Sequence, residues 1–360
     1  MSDGNDKDLK AFINRELLPR IKALNAEREQ KAWVFKIAAL GSTIAVVITL
    51  GLAGLLFEID EVLSVEFAAS LAVVVLFGIG LHGVFHLVFV RGATQRYVED
   101  VVAPLVDHVR PGVEFNAREG IEVREFEQSK IAQLPLERFE SRGVFSVRTD
   151  GAMLRFGEVD ASCRVKKEGE RFGIRRTCFV ARGLFFVAHL DESVRGTTVI
   201  TPTLRRFVNA DKLPRVRAPG ADKNPPVRPA EDWPTVSWVQ QNHDEPVAPV
   251  TVPDPEFHAH FDVWSTDIAQ ARQMLRPTVL ECLKKVHTVW HSDAHRTAMT
   301  RTSGQGYFVL VLRDDRVFLS RAMPRKLVEI RAFEPGDQAE LLLQYARDIR
   351  LATKLIDTLI

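Results

Sequence analysis

Two uninterrupted apolar blocks near the N-terminus constrain this chain more than any other feature. Ile37–Phe57 contains no charged residue, and Phe67–Val90 contains no Asp, Glu, Lys or Arg. At 1.5 Å per residue the first block makes a helix about 31 Å long, which matches the hydrocarbon core of a bilayer. A helix buried in a globular core is rarely this long and apolar on all sides. The block also begins too far into the chain for a signal peptide and lacks a small-residue cleavage site. The sequence therefore predicts a hairpin of two transmembrane helices, 37–57 and 67–90, within an integral membrane protein.

The short flanks set its orientation. Arg15, Arg20, Lys22, Arg28, Lys31 and Lys36 precede the first span, and Arg91 and Arg96 follow the second. The loop Glu58–Glu66 has no basic residue and carries Glu58, Asp60, Glu61 and Glu66. Both termini are expected on the cytoplasmic side of the inner membrane. Gly41, Ala45, Thr49 and Ala53 recur every fourth residue, a small-residue stripe that allows close helix packing against Gly78 and Gly83. His82 and His86 lie within the second span, one turn apart. Two readings stand for them: neutral imidazoles bonded to Ser42 or Thr43, or a metal, haem or proton site formed when hairpins associate into a homo-oligomer.

Charge narrows the partners. Lys and Arg number 48 against 47 Asp and Glu, a net charge of +1. Such a balance offers no global attraction to nucleic acid, and none is expected as a partner. Cys163, Cys178 and Cys282 form no C-x-x-C pair, so neither a disulfide framework nor a zinc knuckle is expected. No motif in the chain calls for a cofactor.

The remainder predicts an α+β fold. Residues 1–36 form an amphipathic cytoplasmic segment, helical over 6–35, with Leu9, Phe12, Ile13, Leu17, Ile21 and Leu24 at helical spacing and Pro19 as a kink or interruption. Residues 91–201 are the first part of the cytoplasmic domain. Tyr97–Val109 continues as a helix; Gly143–Arg148, Ala152–Val165, Arg175–Leu190 and Thr197–Ile200 read as strands. They suggest an antiparallel sheet with one buried face. Residues 202–253 are a proline-rich basic insert. Pro202–Pro255 holds eleven of the 18 prolines, and Arg205, Arg206, Lys212, Arg215, Arg217, Lys223 and Arg228 fill its first half. That composition predicts an extended or disordered stretch, a solvated loop or one attracted to an anionic leaflet. Residues 254–360 complete the domain. Asp267 is an expected N-cap for a helix from Ile268 to about Val286. Tyr307–Leu312 and Val317–Ser320 read as a hairpin, and Asp337–Ile360 as a closing amphipathic helix.

One constellation points to metal chemistry. His258-Ala-His260-Phe-Asp262 has the H-x-H-x-D spacing of metallo-hydrolases, and on a strand the three side chains would share one face. Val263 stands where the metallo-β-lactamase pattern has a second His, and no repeated βα pattern supports an amidohydrolase barrel. Phe257 and Phe261 as core anchors explain the same spacing. His287, His291 and His295 are spaced as a polar helix stripe without the Glu of H-E-x-x-H. Gly304-Gln-Gly306 is a turn, not a phosphate loop, and Cys178 in an apolar strand reads as core.

Several stretches together resemble a family of uncharacterised bacterial membrane proteins that carry a domain of unknown function. They are Phe156-Gly-Glu158-Val-Asp160-Ala, Arg182-Gly-Leu-Phe-Phe-Val-Ala188, Asp254-Pro-Glu-Phe257, Phe261-Asp-Val-Trp-Ser-Thr-Asp267, Ala271-Arg272, Leu275 and Pro277. The resemblance brings no activity or catalytic residue. It implies a membrane-associated complex, with a LemA-type protein as partner. Phe185, Phe186, Phe257, Phe261, Val263 and Trp264 read as core. Glu158, Asp262, Asp267 and Arg272 are the polar exceptions, and a ligand site is expected there, with Arg272 pairing one of the carboxylates. The sequence thus favours a non-enzymatic membrane-anchored adaptor or sensor that binds a protein or ligand. The alternative is a membrane-tethered metal-dependent hydrolase using His258, His260 and Asp262.

Overall fold

The computed structural model describes residues 3–31, 95–131, 136–166, 175–203, 247–294, 308–323 and 335–360, with isolated positions between 33 and 48. Apart from three of those positions, both apolar blocks lie outside the described residues, as do His82, His86, His295, Trp233, Trp238 and Gly304–Gly306. Among the described residues no helix is long and apolar enough to cross a membrane. The chain divides into two compact units: Met1–Leu105 with Val328–Leu343, and Val106–Leu327 with Gln344–Ile360.

The first unit is helical. Helix α1 (Asp3–Phe12) passes through a π-turn (Ile13–Leu17) and continues over 18–31. Leu9, Ile13, Leu17 and Ile21 are buried at every fourth residue, so this face packs within the protein. Phe12 and Leu24 are only partly covered. Pro19 therefore does not end the helix, because the preceding turn widens ahead of it. On the far side of the apolar blocks a second π-turn (Val98–Val102) leads into α2 (Ala103–Val109), with Val98, Val101, Val102 and Leu105 buried. Arg20 Nη1 donates to the Asp100 carbonyl at 3.1 Å, and Arg96 pairs with Glu27 at 2.8 Å. The residue numbers rise on one helix as they fall on the other, so the two run antiparallel.

The second unit is built on one nine-stranded antiparallel sheet. Its strands are β1 (Glu114–Asn116), β2 (Arg138–Arg148), β3 (Ala152–Lys166), β4 (Arg175–Leu190), β5 (Thr197–Pro202), β6 (Ala248–Pro249), β7 (Phe261–Ser265), β8 (Phe308–Arg313) and β9 (Arg316–Ala322). The order is β1-β2-β3-β4-β9-β8-β5-β7-β6. Its helices are α3 (Val123–Gln128), α4 (Pro255–His258), α5 (Ile268–Met274), α6 (Pro277–Ala294) and, from Gln344 onward, α7 (Pro335–Leu359). The two parts flanking the proline-rich insert thus share one sheet, joined where β4 meets β9 and β5 meets β7 and β8. The Thr149-Asp-Gly151 turn closes the β2–β3 hairpin, with the Thr149 N–H donating to the Ala152 carbonyl at 2.9 Å. Where β2 bulges between Arg142 and Phe145, Gly143 takes a φ of +70° that residues with a Cβ rarely adopt.

The structure corrects three expectations. The sheet is covered on both faces, not one: Leu184, Phe185, Phe186, Val187 and Ala188 are all fully buried on β4. Alternate residues of that run serve opposite faces. On one face α3 places Phe126 against Phe139 and Phe185. On the other, Phe115, Phe145, Phe156 and Phe186 stand opposite one another across four strands, with ring centroids 4.8–5.2 Å apart. Second, the helix starting after Asp267 stops at Met274, and α6 begins afresh at Pro277. Proline lacks an N–H and disfavours the α conformation at Arg276, so one continuous helix cannot form. Third, regular structure resumes before Asp254: Val247, Val250 and Val252 are buried and β6 pairs with β7.

Candidate functional site

The polar residues singled out in the sequence fall in two separate places. Glu158 lies on β3, opposite Arg142 and Leu184. Asp262, Asp267 and Arg272 cluster on and after β7. Five strand steps separate β3 from β7, about 24 Å at the usual spacing. The four therefore do not form one ligand site.

Around β7 most of these groups stabilise the fold. Asp254 caps α4, its carboxylate accepting from the Phe257 N–H at 3.0 Å, with Pro255 in the first turn. Asp267 caps α5 in the same way, accepting from the Gln270 N–H at 3.0 Å. Arg272 donates to the Thr251 carbonyl at 3.2 Å and pairs with none of the three expected carboxylates. Asp262 accepts from the Thr203 hydroxyl at 3.4 Å.

The H-x-H-x-D spacing does not lie on a strand. Asp254-Pro255 starts a helical turn that carries His258, and β7 begins only at Phe261. The three side chains go separate ways. His258 Nε2 accepts from the Val252 N–H at 2.9 Å, whereas the His260 ring stacks on His287 with centroids 4.0 Å apart. Asp262 projects from the strand beside Thr203. Among the described residues no three His, Cys, Asp or Glu side chains are grouped to hold a metal ion. The hydrolase alternative loses the ligand geometry it rested on.

The structure assembles three charged clusters that the sequence did not reveal. Lys284 on α6 meets Asp254 and Glu256 at 3.2 Å and Glu281 at 2.6 Å. The hydrogen bond to Glu281, then those to Glu256 and Asp254, hold its ammonium charged well above the ordinary lysine range. The Phe257 N–H, followed by Lys284, holds the Asp254 carboxyl below its ordinary range. Only the Glu281–Lys284 leg, three residues apart on one helix, was legible in the chain.

The second cluster sits beneath α3. Glu125 Oε1 takes Arg155 Nη1 at 2.9 Å and lies 3.2 Å from His189 Nε2. Gln128, one turn on, accepts from Arg316, which stands opposite His189 in register. Glu125 is 9% exposed and His189 31%, so the cluster opens to solvent on one side.

The third is closed. Arg321 Nε lies 3.3 Å from Asp348 Oδ2, with the side chains 2% and 1% exposed. The guanidinium carbon sits 5.0 Å from the centre of the Trp290 ring. One ion pair thus ties β9 to α7 beside an aromatic side chain of α6. A nearby glycine is required: at Gly183, φ +140°, a Cβ would lie 2.1 Å from the Arg321 carbonyl oxygen. Gly183 belongs to the Arg182–Ala188 stretch, whose Arg182 pairs with Asp160 directly across the β3–β4 ladder at 3.2 Å. The resemblance motifs on β3 and β4 thus pack against each other. Cys282 is a buried free thiol whose pKa burial raises, as suits a core residue.

No curated protein and no solved structure matches the chain. A family model described as a protein of unknown function, DUF3137, matches residues 180–360, from β4 to the C-terminus. With half of its length matched, this chain belongs to the DUF3137 family.

Proposed function

We propose that this chain is an adaptor or sensor held in the inner membrane by two transmembrane helices, 37–57 and 67–90, with both termini and the sheet-based domain in the cytoplasm. One observation carries the reading. The antiparallel helices that precede and follow the apolar blocks bring the chain to both spans side by side. Their pairing runs Arg20 with Asp100 and Glu27 with Arg96. Trp33, Val34, Ile37 and Ile48 are helical and exposed, as lipid-facing residues are, and Trp33 stands where interfacial aromatics collect.

Binding is favoured over catalysis because the polar motif residues spend their hydrogen bonds on caps and cross-strand pairs. The recognised partner is then a protein or small ligand of the cytoplasmic domain, and a LemA-type membrane protein is the first candidate. Two measurements test this. Alkaline phosphatase fused within the loop 58–66 is expected to be active, and a fluorescent protein fused after Ile360 to fold and fluoresce. A chain released from membranes by carbonate, or the opposite fusion pattern, removes the anchor. Crosslinked purification of the detergent-extracted protein is expected to return a stoichiometric partner. Recovery of this chain alone would sink the adaptor half of the reading.

A further inference from the structure

The two helices that flank the apolar blocks share an unusual local design. Ile13-Asn-Arg-Glu-Leu17-Leu-Pro19 and Val98-Glu-Asp-Val-Val102-Ala-Pro104 each contain one π-turn that ends two residues before a proline. In each turn the wide i to i+5 bond is present: the Leu18 N–H donates to the Ile13 carbonyl, and the Ala103 N–H to the Val98 carbonyl. π-turns are rare, and they concentrate at functional positions. Two in matched sequence positions, on two antiparallel neighbours, form one structural device.

The proline explains the defect chemically. In an α-helix the Asp100 carbonyl would accept from the N–H of residue 104, but Pro104 has none. The Ala103 N–H is already committed to Val98. Arg20, the residue after Pro19 on the other helix, supplies a donor: its Nη1 reaches the Asp100 carbonyl at 3.1 Å. The defect made by one proline is thus closed by a side chain adjacent to the other.

We infer that this pair of proline-coupled π-turns is a latched hinge between the apolar segments and the rest of the chain, and that Arg20 is its latch. A π-turn holds one more residue per hydrogen-bonded ring than an α-turn. Resolving it into regular α-helix would turn the segment beyond it by about 100°, one residue's step, so a small change at the latch becomes a rotation of the attached segment. Both turns lie outside the apolar blocks, so the hinge stands or falls independently of where those blocks reside.

Hydrogen exchange of the full-length protein in detergent tests the assignment. Arg20→Met is expected to speed exchange of the amides between Val98 and Val106 about threefold, the scale of one lost hydrogen bond. Pro104→Ala restores an N–H for the Asp100 carbonyl, so in that background Arg20→Met is expected to change nothing. Peptides from β3 and β4 report whether a variant has simply unfolded. If Arg20→Met does unfold the chain, Arg20→Lys, which keeps a donor, is expected to return local protection to the native level. Unchanged exchange in Arg20→Met, an equal acceleration with and without Pro104, or no recovery in Arg20→Lys would each overturn the latch.

Discussion

The two faces of the sheet each bury charge, but in opposite ways. On the face under α3, Glu125, Arg155 and His189 meet at the edge of an apolar cluster and stay partly open to water. On the face under α6 and α7, Arg321 and Asp348 are sealed in, with Trp290 against the guanidinium. An ion pair that keeps some water loses little when one partner goes, because solvent takes over. A sealed pair cannot be rescued by solvent in that way, so removing one partner costs more. The open cluster is therefore expected to tolerate loss of a partner better than the closed one, which joins β9 to α7.

The sharpest way to break this comparison is to remove one acid from each face. Asp348→Ala is expected to cost about 3–5 kcal/mol in denaturant unfolding of the detergent-solubilised protein. Glu125→Ala is expected to cost about 1–2 kcal/mol, discounted for its solvent-facing partners. Equal losses would mean that burial does not separate the two clusters.

The Phe ladder extends the same test. Phe156, enclosed between Phe145 and Phe186, is expected to lose about 3–5 kcal/mol on change to Ala, read by the same unfolding curve. Phe115 stands half-buried on the edge strand, and its change to Ala should cost clearly less. A similar cost at both positions would show that the ladder acts as one cooperative unit.

Smaller effects belong to the caps. Asp267→Ala is expected to cost about 1 kcal/mol through loss of the bond to the Gln270 N–H, and Asp267→Asn to keep most of it. Unfolding curves of the two variants distinguish the cap from any other role of the side chain.

The smallest effect is a pH dependence at Asp254. Its carboxyl is held below the ordinary range, first by the Phe257 N–H. Its contribution is therefore complete above the unfolded carboxylate pKa and is lost as pH falls through the lower folded value. Lys284, whose pKa is raised, stays charged throughout that window. Asp254→Asn should lower stability slightly at neutral pH, match the native chain at the acid end, and so flatten the acid limb of the profile. An unaltered acid limb would show that the cap bond, not the charge, carries the effect.

Much of the local structure was legible in the chain because its causes are local. Arg175–Leu190 reads as one strand from its β-branched and aromatic run, and the structure gives those limits. Asp267 reads as an N-cap because a short acceptor precedes an apolar helical pattern. The β8–β9 hairpin reads from two apolar runs around Arg313-Asp-Asp-Arg316. The break at Pro277 was also present in the sequence, where helical periodicity continued across it and masked it. The candidate site was far less legible. Glu158 and Asp262 look alike as polar residues in apolar motifs, and nothing local says that five strand steps part them. His258, His260 and Asp262 share a spacing, but one turn of helix scatters them.

Alternation, proline placement and capping residues act over a few positions, so the sequence by itself determined the long strands Ala152–Lys166 and Arg175–Leu190, the β8–β9 hairpin, the cap at Asp267 and the two apolar blocks, but not the short strands β1, β6 and β7 or the helices α3 and α4. The partners of buried charges depend on which strands become neighbours, and those contacts join residues far apart in the chain. Only the tertiary structure could decide that Arg321 meets Asp348, that Glu125 meets His189, and that Arg20 closes the gap left by Pro104.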